Sequence, residues 1–167
     1  VRELHRLGVT DVEILSGDRR EAVARVAMQI GADGFRAELL PADKQRIVEE
    51  LRQKGGKVAF AGDGINDAPA IASSDVGVSM GKLGTDMAME TSDVVIAGDN
   101  LEKLPQAIQL SRKVRSVVIQ NVTFALLVKM TVMALGTFGI ATLWAAVFAD
   151  TGVTLITILW TLLRLRI

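Results

Sequence analysis

The chain has 167 residues, no cysteine and a formal net charge of zero; half its residues are hydrophobic and 23% are charged. Zero net charge gives no support for a nucleic-acid partner, and the missing cysteines exclude a disulfide framework or thiolate metal site within these residues. The charges are segregated, with nearly all of them before Arg115, so averages over the whole chain describe neither part.

The first residues, with Leu4 and Leu7 ahead of Gly8, read as part of an amphipathic helix on which His5 is expected at the surface. The chain starts at Val1 without a methionine or signal peptide, so a piece of a longer protein is expected. Asp11–Leu15 then reads as a strand, Arg19–Ile30 as a helix, Ala42–Lys54 as a helix and Lys57–Ala61 as a strand. Ala68–Ser73 (helix), Asp75–Met80 (strand), Gly84–Glu90 (helix) and Asp93–Ile96 (strand) follow. Apolar strands separated by amphipathic helices imply an α/β fold with a parallel sheet covered on both faces. Ligands of such sheets sit beyond the carboxyl ends of the strands, which directs attention to the loops after Leu15 and Ala61.

Three clusters fall in or near such loops. Ser16-Gly17-Asp18 offers a hydroxyl and backbone N–H groups at a strand-to-helix junction, where phosphate oxygens can be held; it is also a common turn. Pro41-Ala42-Asp43-Lys44 is an ordinary helix start, and a lone lysine there is usually solvated. Gly62-Asp63-Gly64-Ile65-Asn66-Asp67-Ala68-Pro69 is harder to explain as a turn. Its glycines permit sharp backbone turns, and Asp63 and Asp67 form an oxygen-rich pair suited to Mg²⁺, which takes one or two carboxylates plus substrate phosphates. Gly55-Gly56-Lys57 is followed by Val58 and lacks the glycine spacing of a nucleotide P-loop.

In this order the three clusters resemble the P-type ATPases of the haloacid-dehalogenase-like superfamily, with Ser16 standing where threonine is usual and keeping the hydroxyl. The resemblance implies that Ser16 and Gly17, with Asp18 beside them, contact the phosphoryl group. It also implies that Lys44 stabilises the phosphorylated aspartate, that Asp63 binds Mg²⁺ with Asp67 in or beside that shell, and that Asn66 bonds near the phosphate. The family's nucleophile lies in Asp-Lys-Thr-Gly, which this chain lacks; Asp150-Thr151-Gly152 is a partial match inside an apolar segment and is rejected. The fragment alone is therefore expected to be inactive in ATP hydrolysis.

Leu101–Val118 reads as a helix, basic toward its end at Arg112, Lys113 and Arg115. Val117–Leu163, about 47 residues, then carries only Lys129 and Asp150 as charges, too long for one crossing at about 20 residues each. A hairpin turning at Gly136, Gly139 and Thr142 is expected, with spans of about 119–140 and 143–163. The resemblance implies that residues 1–110 are the C-terminal part of the phosphorylation domain and 111–167 the last two transmembrane helices. Basic residues flank the hairpin at Arg112, Lys113, Arg115, Arg164 and Arg166, so residues 1–115 and the C-terminus are expected on the cytoplasmic side of the cell membrane. With the turn near Ile140–Ala141, Lys129 and Asp150 lie roughly 17 and 15 Å from it, at matching depth. Charges buried in lipid are costly and functional by default. They form either a structural ion pair or a cation site with Asp150 as ligand and Lys129 as counter-charge. Met130 and Met133 are expected to pack rather than ligate, and Asn121 and Thr123 to sit at the interface.

A lysine in the next-to-last span and Asp-x-Gly in the last resemble the zinc/cadmium/lead branch of the heavy-metal-transporting P-type ATPases. The copper branch would carry Asn-Tyr and Met/Ser pairs that are missing here. Trp160-Thr161-Leu162 stands where Asn-Ala-Leu would be expected. The resemblance implies a partial haloacid-dehalogenase-like parallel-sheet domain followed by a transmembrane hairpin. Mg²⁺ and ATP would serve the intact enzyme, Zn²⁺, Cd²⁺ or Pb²⁺ would be the cargo, and the lipid bilayer the surroundings. Its partners would be the upstream phosphorylation domain, the nucleotide-binding and actuator domains and the other membrane helices. A membrane-tethered phosphatase of the same superfamily, a copper-branch pump or a non-catalytic membrane subunit are the alternatives.

Overall fold

A computed structural model describes residues 1–63, 66–81, 91–98 and 100–165. The expected helix Gly84–Glu90, together with Gly64, Ile65 and Arg166, lies outside these residues. The chain divides into two compact units, Val1–Gln106 and Ala107–Ile167.

In the first unit, α1 (Arg2–Arg6) leads to β1 (Glu13–Leu15), α2 (Arg20–Ile30), β2 (Gly34–Arg36), α3 (Pro41–Gln53), β3 (Ala59–Gly62), α4 (Ala68–Ser73), β4 (Val76–Gly81) and β5 (Val94–Ala97). Among the described residues the ladders are parallel, β1 with β2 and, separately, β3-β4-β5. The short strand β2 is an addition to the expected elements. Its three residues, Gly34-Phe35-Arg36, are too few to carry a period-two signal. The core is a cluster of Val48, Phe60, Ala70 and Ile71, against which Leu15 and Val58 pack, so α3, α4, β1 and β3 share one apolar centre.

One device recurs at the amino ends of the strands. An aspartate immediately precedes β2, β4 and β5, and each bridges one residue of the neighbouring chain segment in both directions. Asp33 N–H donates to the Val12 carbonyl (3.0 Å) while its carboxylate accepts from Val12 N–H (2.8 Å). Asp75 does the same with Val58 (2.9 and 3.0 Å) and Asp93 with Gly77 (2.9 and 2.8 Å). The side chain thus satisfies a backbone donor where the ladder begins, which sets strand register. His5 is tied into the first of these bridges. Its Nδ1 bonds the Val9 carbonyl at 2.8 Å and its Nε2 lies 3.1 Å from Asp33 Oδ2, so it joins α1 to the strand instead of standing free at the surface.

The second unit is built on α5 (Lys103–Thr137), whose first residues belong to the first unit, then α6 (Leu143–Val147), a π-helical turn Phe148–Gly152, and α7 (Val153–Arg164). The expected separate helix Leu101–Val118 and following span are one 35-residue helix. Pro105 is tolerated in its first turn, and neither glycine nor proline occurs from Gln106 to Leu135 to interrupt it. Lys103–Thr137 and Leu143–Arg164 are each long and apolar enough to cross a bilayer. They turn through Gly139, whose φ of +73° suits glycine, and Thr142, which caps α6 by accepting from Ala145 N–H. The less exposed positions, Val117, Asn121, Ala125 and Val128 on α5 and Ala145, Ala149, Val153, Thr157 and Thr161 beyond the turn, recur every three or four residues. Small and hydroxylated residues on such a stripe suit close helix pairing in lipid.

Candidate functional site

The candidate site singled out by the sequence grows from the carboxyl ends of β1 and β3. After β1, Ser16 Oγ accepts from Asp18 N–H (3.2 Å) and donates to the Asp18 carboxylate (3.1 Å), closing a tight turn ahead of α2. The loop after β2 is laced onto that turn: Glu38 N–H donates to the Asp18 carbonyl and Leu39 N–H to the Ser16 carbonyl. A Cβ at Gly17 would lie 3.1 Å from the Leu39 carbonyl oxygen, so glycine permits this approach. Glu38 adopts φ +58°, a costly conformation for a residue with a side chain. The same loop runs into α3, where Asp43 accepts from Leu40 N–H (3.1 Å) and fixes the helix start that carries Lys44.

Lys44 is not a solvated helix charge. Its Nζ donates to Asp67 Oδ1 at 2.7 Å, and both side chains are largely buried, at 14% and 13% exposure. Asp67 begins α4, but its carboxylate turns toward Lys44 rather than capping the helix. Gly62 makes room for it, since a Cβ there would lie 2.5 Å from Asp67 Oδ2. Asp63 and Asn66 are exposed beside this pair. The arrangement thus joins the second and third sequence clusters directly, while Ser16-Gly17-Asp18 connects to α3 through the 38–40 backbone.

Among the described residues no three His, Cys, Asp or Glu side chains gather as a complete metal site. The Asp67 carboxylate held beside Lys44, with Gly62 leaving space for it and Asp63 exposed at the next position, is the donor type that suits a Mg²⁺ completing its shell with phosphate and water. It does not suit a metal that needs a full protein cage.

In the second unit, Lys129 Nζ and Asp150 Oδ1 are 2.7 Å apart. Asp150 stands in the π-helical turn, a distortion that often marks functional positions in helices. Gly152 closes that turn against Phe148, whose ring would be 2.6 Å from a Cβ at 152. Met130 and Met133 are 60% and 62% exposed. Sequence reasoning missed two further ties between these helices: Asn121 Nδ2 donates to Thr161 Oγ1 at 2.6 Å, and Arg164 donates to Gln120. Asn121 is therefore a cross-helix partner rather than a purely interfacial residue, and Thr161 belongs to the stretch that departs from the expected Asn-Ala-Leu. Polar residues recurring on the apolar stripes were the available signal.

Residues 1–75 match the haloacid dehalogenase-like hydrolase family. Over 95% of its length the chain is 52% identical to a zinc-transporting ATPase of Synechocystis sp. and 45% identical to a cadmium, zinc and cobalt-transporting ATPase of Bacillus subtilis. It spans 22% and 23% of those proteins. Its fold matches the crystal structure of a zinc-transporting PIB-type ATPase in the E2.Pi state with a TM-score of 0.87 and 41% identity, covering 99% of this chain and 27% of that one. Along nearly its whole length the chain is thus similar, in sequence and in fold, to one segment of metal-transporting ATPases, with a haloacid dehalogenase-like region followed by two apolar helices.

Proposed function

We propose that this segment serves an ATP-driven exporter of divalent heavy metals, with Zn²⁺ and Cd²⁺ favoured by its relatives and Pb²⁺ accepted by the same ligand chemistry. The observation that carries the reading is the 2.7 Å Lys129–Asp150 pair within two bilayer-length apolar helices, on a chain that also holds the Lys44–Asp67 pair at a phosphate-type site. Phosphoryl transfer depends on positioning and on stabilising spread negative charge. Ser16 and Gly17 would hold phosphoryl oxygens with Asp18 keeping the Ser16 hydroxyl oriented, Lys44 would neutralise charge on an aspartyl phosphate formed on a residue outside this chain, and Asn66 would bond at the rim. Asp63 and Asp67 would hold Mg²⁺, which supplies further charge neutralisation to the phosphate oxygens of ATP when bound.

In the membrane, Asp150 would ligand the cargo while Lys129 is displaced, and Lys129 would re-form the ion pair once the metal leaves. An amine that replaces the departing cation keeps the carboxylate compensated in a medium where an unpaired charge is costly. Both ends of the hairpin and the phosphate site would face the cytoplasm, consistent with the basic flank at Arg112, Lys113, Arg115 and Arg164. The decisive measurement is ATPase activity against zinc concentration in the intact pump carrying Asp150→Ala. Loss of zinc stimulation is expected; unchanged zinc dependence would overturn the transport reading and leave a membrane-tethered phosphatase as the better account.

A further inference from the structure

At the end of the hairpin away from the Phe138–Thr142 turn, Arg112, Arg115, Ser116, Ile119 and Gln120 line a shallow recess of about 360 Å³. Their spacing places them along one face of α5 over roughly 12 Å. A residue of the second helix adjoins this lining. Arg164 donates to Gln120, which in turn donates to Ser116 Oγ at 3.2 Å, so a guanidinium from α7 is held at its rim. Arg164 also lies 5.8 Å over the Trp160 ring, which sets an indole beside the charge as at a membrane–water interface. The sequence from Lys103 to Ala149 contains basic but no acidic residues. On the other side, Ile119 leads into exposed apolar surface at Val118, Val122 and Leu126. A ligand with an anionic head and an apolar tail satisfies both sides; a free anion satisfies one.

We propose that this recess binds the phosphodiester headgroup of an anionic membrane phospholipid, with Arg115 and Arg164 contacting the phosphate and the acyl chains lying along Ile119 and Val122. The proposal requires the hairpin to lie in a bilayer but is independent of which metal is moved. Basic pockets between membrane helices recognise acidic headgroups through the same chemistry, and arginine offers paired donors that suit phosphate oxygens.

The chain contains two tryptophans, Trp160 at this end and Trp144 just past the turn, so each can be read alone in Trp144→Phe and Trp160→Phe backgrounds. The full chain is reconstituted in phosphatidylcholine vesicles containing brominated phosphatidylglycerol or, separately, brominated phosphatidylcholine. Trp160 should be quenched preferentially by the brominated phosphatidylglycerol, while Trp144 is quenched equally by both. Arg115→Gln should reduce the preference about fivefold, the scale of one arginine at an anionic surface. Lys113→Gln, which removes the same charge from a residue outside the recess, should leave it intact. Equal quenching of Trp160 by the two lipids, or equal losses in the Arg115 and Lys113 variants, would overturn the site in favour of diffuse attraction. Erasure of the preference by inorganic phosphate in the aqueous phase would overturn the lipid assignment in favour of a free anion. If neither lipid quenches Trp144, the bilayer placement fails and the proposal fails with it, whereas the zinc titration of Asp150→Ala judges transport separately.

Discussion

Lys44 and Asp67 lie 23 positions apart, and their local contexts are ordinary: a lysine in the first turn of one helix and an aspartate at the start of another. Folded, they form a largely buried ion pair whose geometry depends on a third residue with no side chain. Replacing Gly62 with alanine would put a methyl 2.5 Å from Asp67 Oδ2, so the carboxylate must move away from Lys44 or the loop must open. Displacements on the ångström scale at a phosphoryl-transfer site cost about a hundredfold in rate. We expect Gly62→Ala to lower the metal-stimulated ATPase activity of the proposed pump by about that factor, with near-normal expression. A wild-type rate would mean that the position of Asp67 is unimportant to the chemistry. In the membrane, breaking one side of the Lys129–Asp150 pair strands the other charge. Lys129→Ala is therefore expected to leave ATP hydrolysis less dependent on added metal or to abolish it, and not to leave the metal response unaltered. Zinc titrations of the variant distinguish these outcomes.

At the scale of elements, the repeated aspartate bridges do for this sheet what capping residues do for helices. Asp75 is the most heavily engaged: it accepts from Val58 N–H, from Lys57 Nζ at 2.9 Å, and lies 3.4 Å from Arg52 Nε. The Val58 amide first, then Lys57 and Arg52, hold its carboxyl below the ordinary value of 3.8. A folded-state value below the unfolded one means that the bridge's contribution is complete above 3.8 and is lost as pH falls through the lower folded value. Asp75→Asn should therefore lower the melting temperature by several degrees at neutral pH, and the gap to the parent chain should close in acid. Circular-dichroism melts across that range would check it; a gap independent of pH would assign the cost to the amide itself. The α5 helix makes the complementary point about elements. Its 35 residues are continuous because nothing after Pro105 breaks them until Gly136, whereas the boundary expected near Val118 rested only on the change from charged to apolar residues. A change of solvent along a helix does not end it.

For the molecule as a whole, the two separate ladders are the informative feature. Leu15 of β1 and Phe60 of β3 meet in one apolar cluster, yet β1 and β3 do not pair. Among the described residues each therefore has one edge without a ladder partner, and such edges are templates for another strand. In the proposed pump, of which the curated relatives are more than four times as long, a strand from the remainder would fill that position and bring a nucleophile to the site. The expectation is that co-expression with the complementary part of the proposed pump yields a co-purifying complex. Sedimentation of the chain with and without that part tests it. A monodisperse chain that ignores its complement would count against a shared sheet.

Local chemistry and periodicity, which neighbouring residues alone can encode, make much of this molecule legible from its amino-acid order. The Gly62–Pro69 stretch, the alternation of strands and helices, and an apolar tract of two crossings with one charge in each are of that kind. Three things were decided only by tertiary structure: the desolvation and pairing of Lys44, the π-helical turn that presents Asp150, and the Asn121–Thr161 and Gln120–Arg164 ties. The pairings depend on residues 23 to 44 positions apart meeting, and no spacing rule within one element reports on those or on where a π-helical turn falls. The aspartates before β2, β4 and β5 stand between the two cases. Their place at strand starts could be read, but their partners are set by which strand lies alongside.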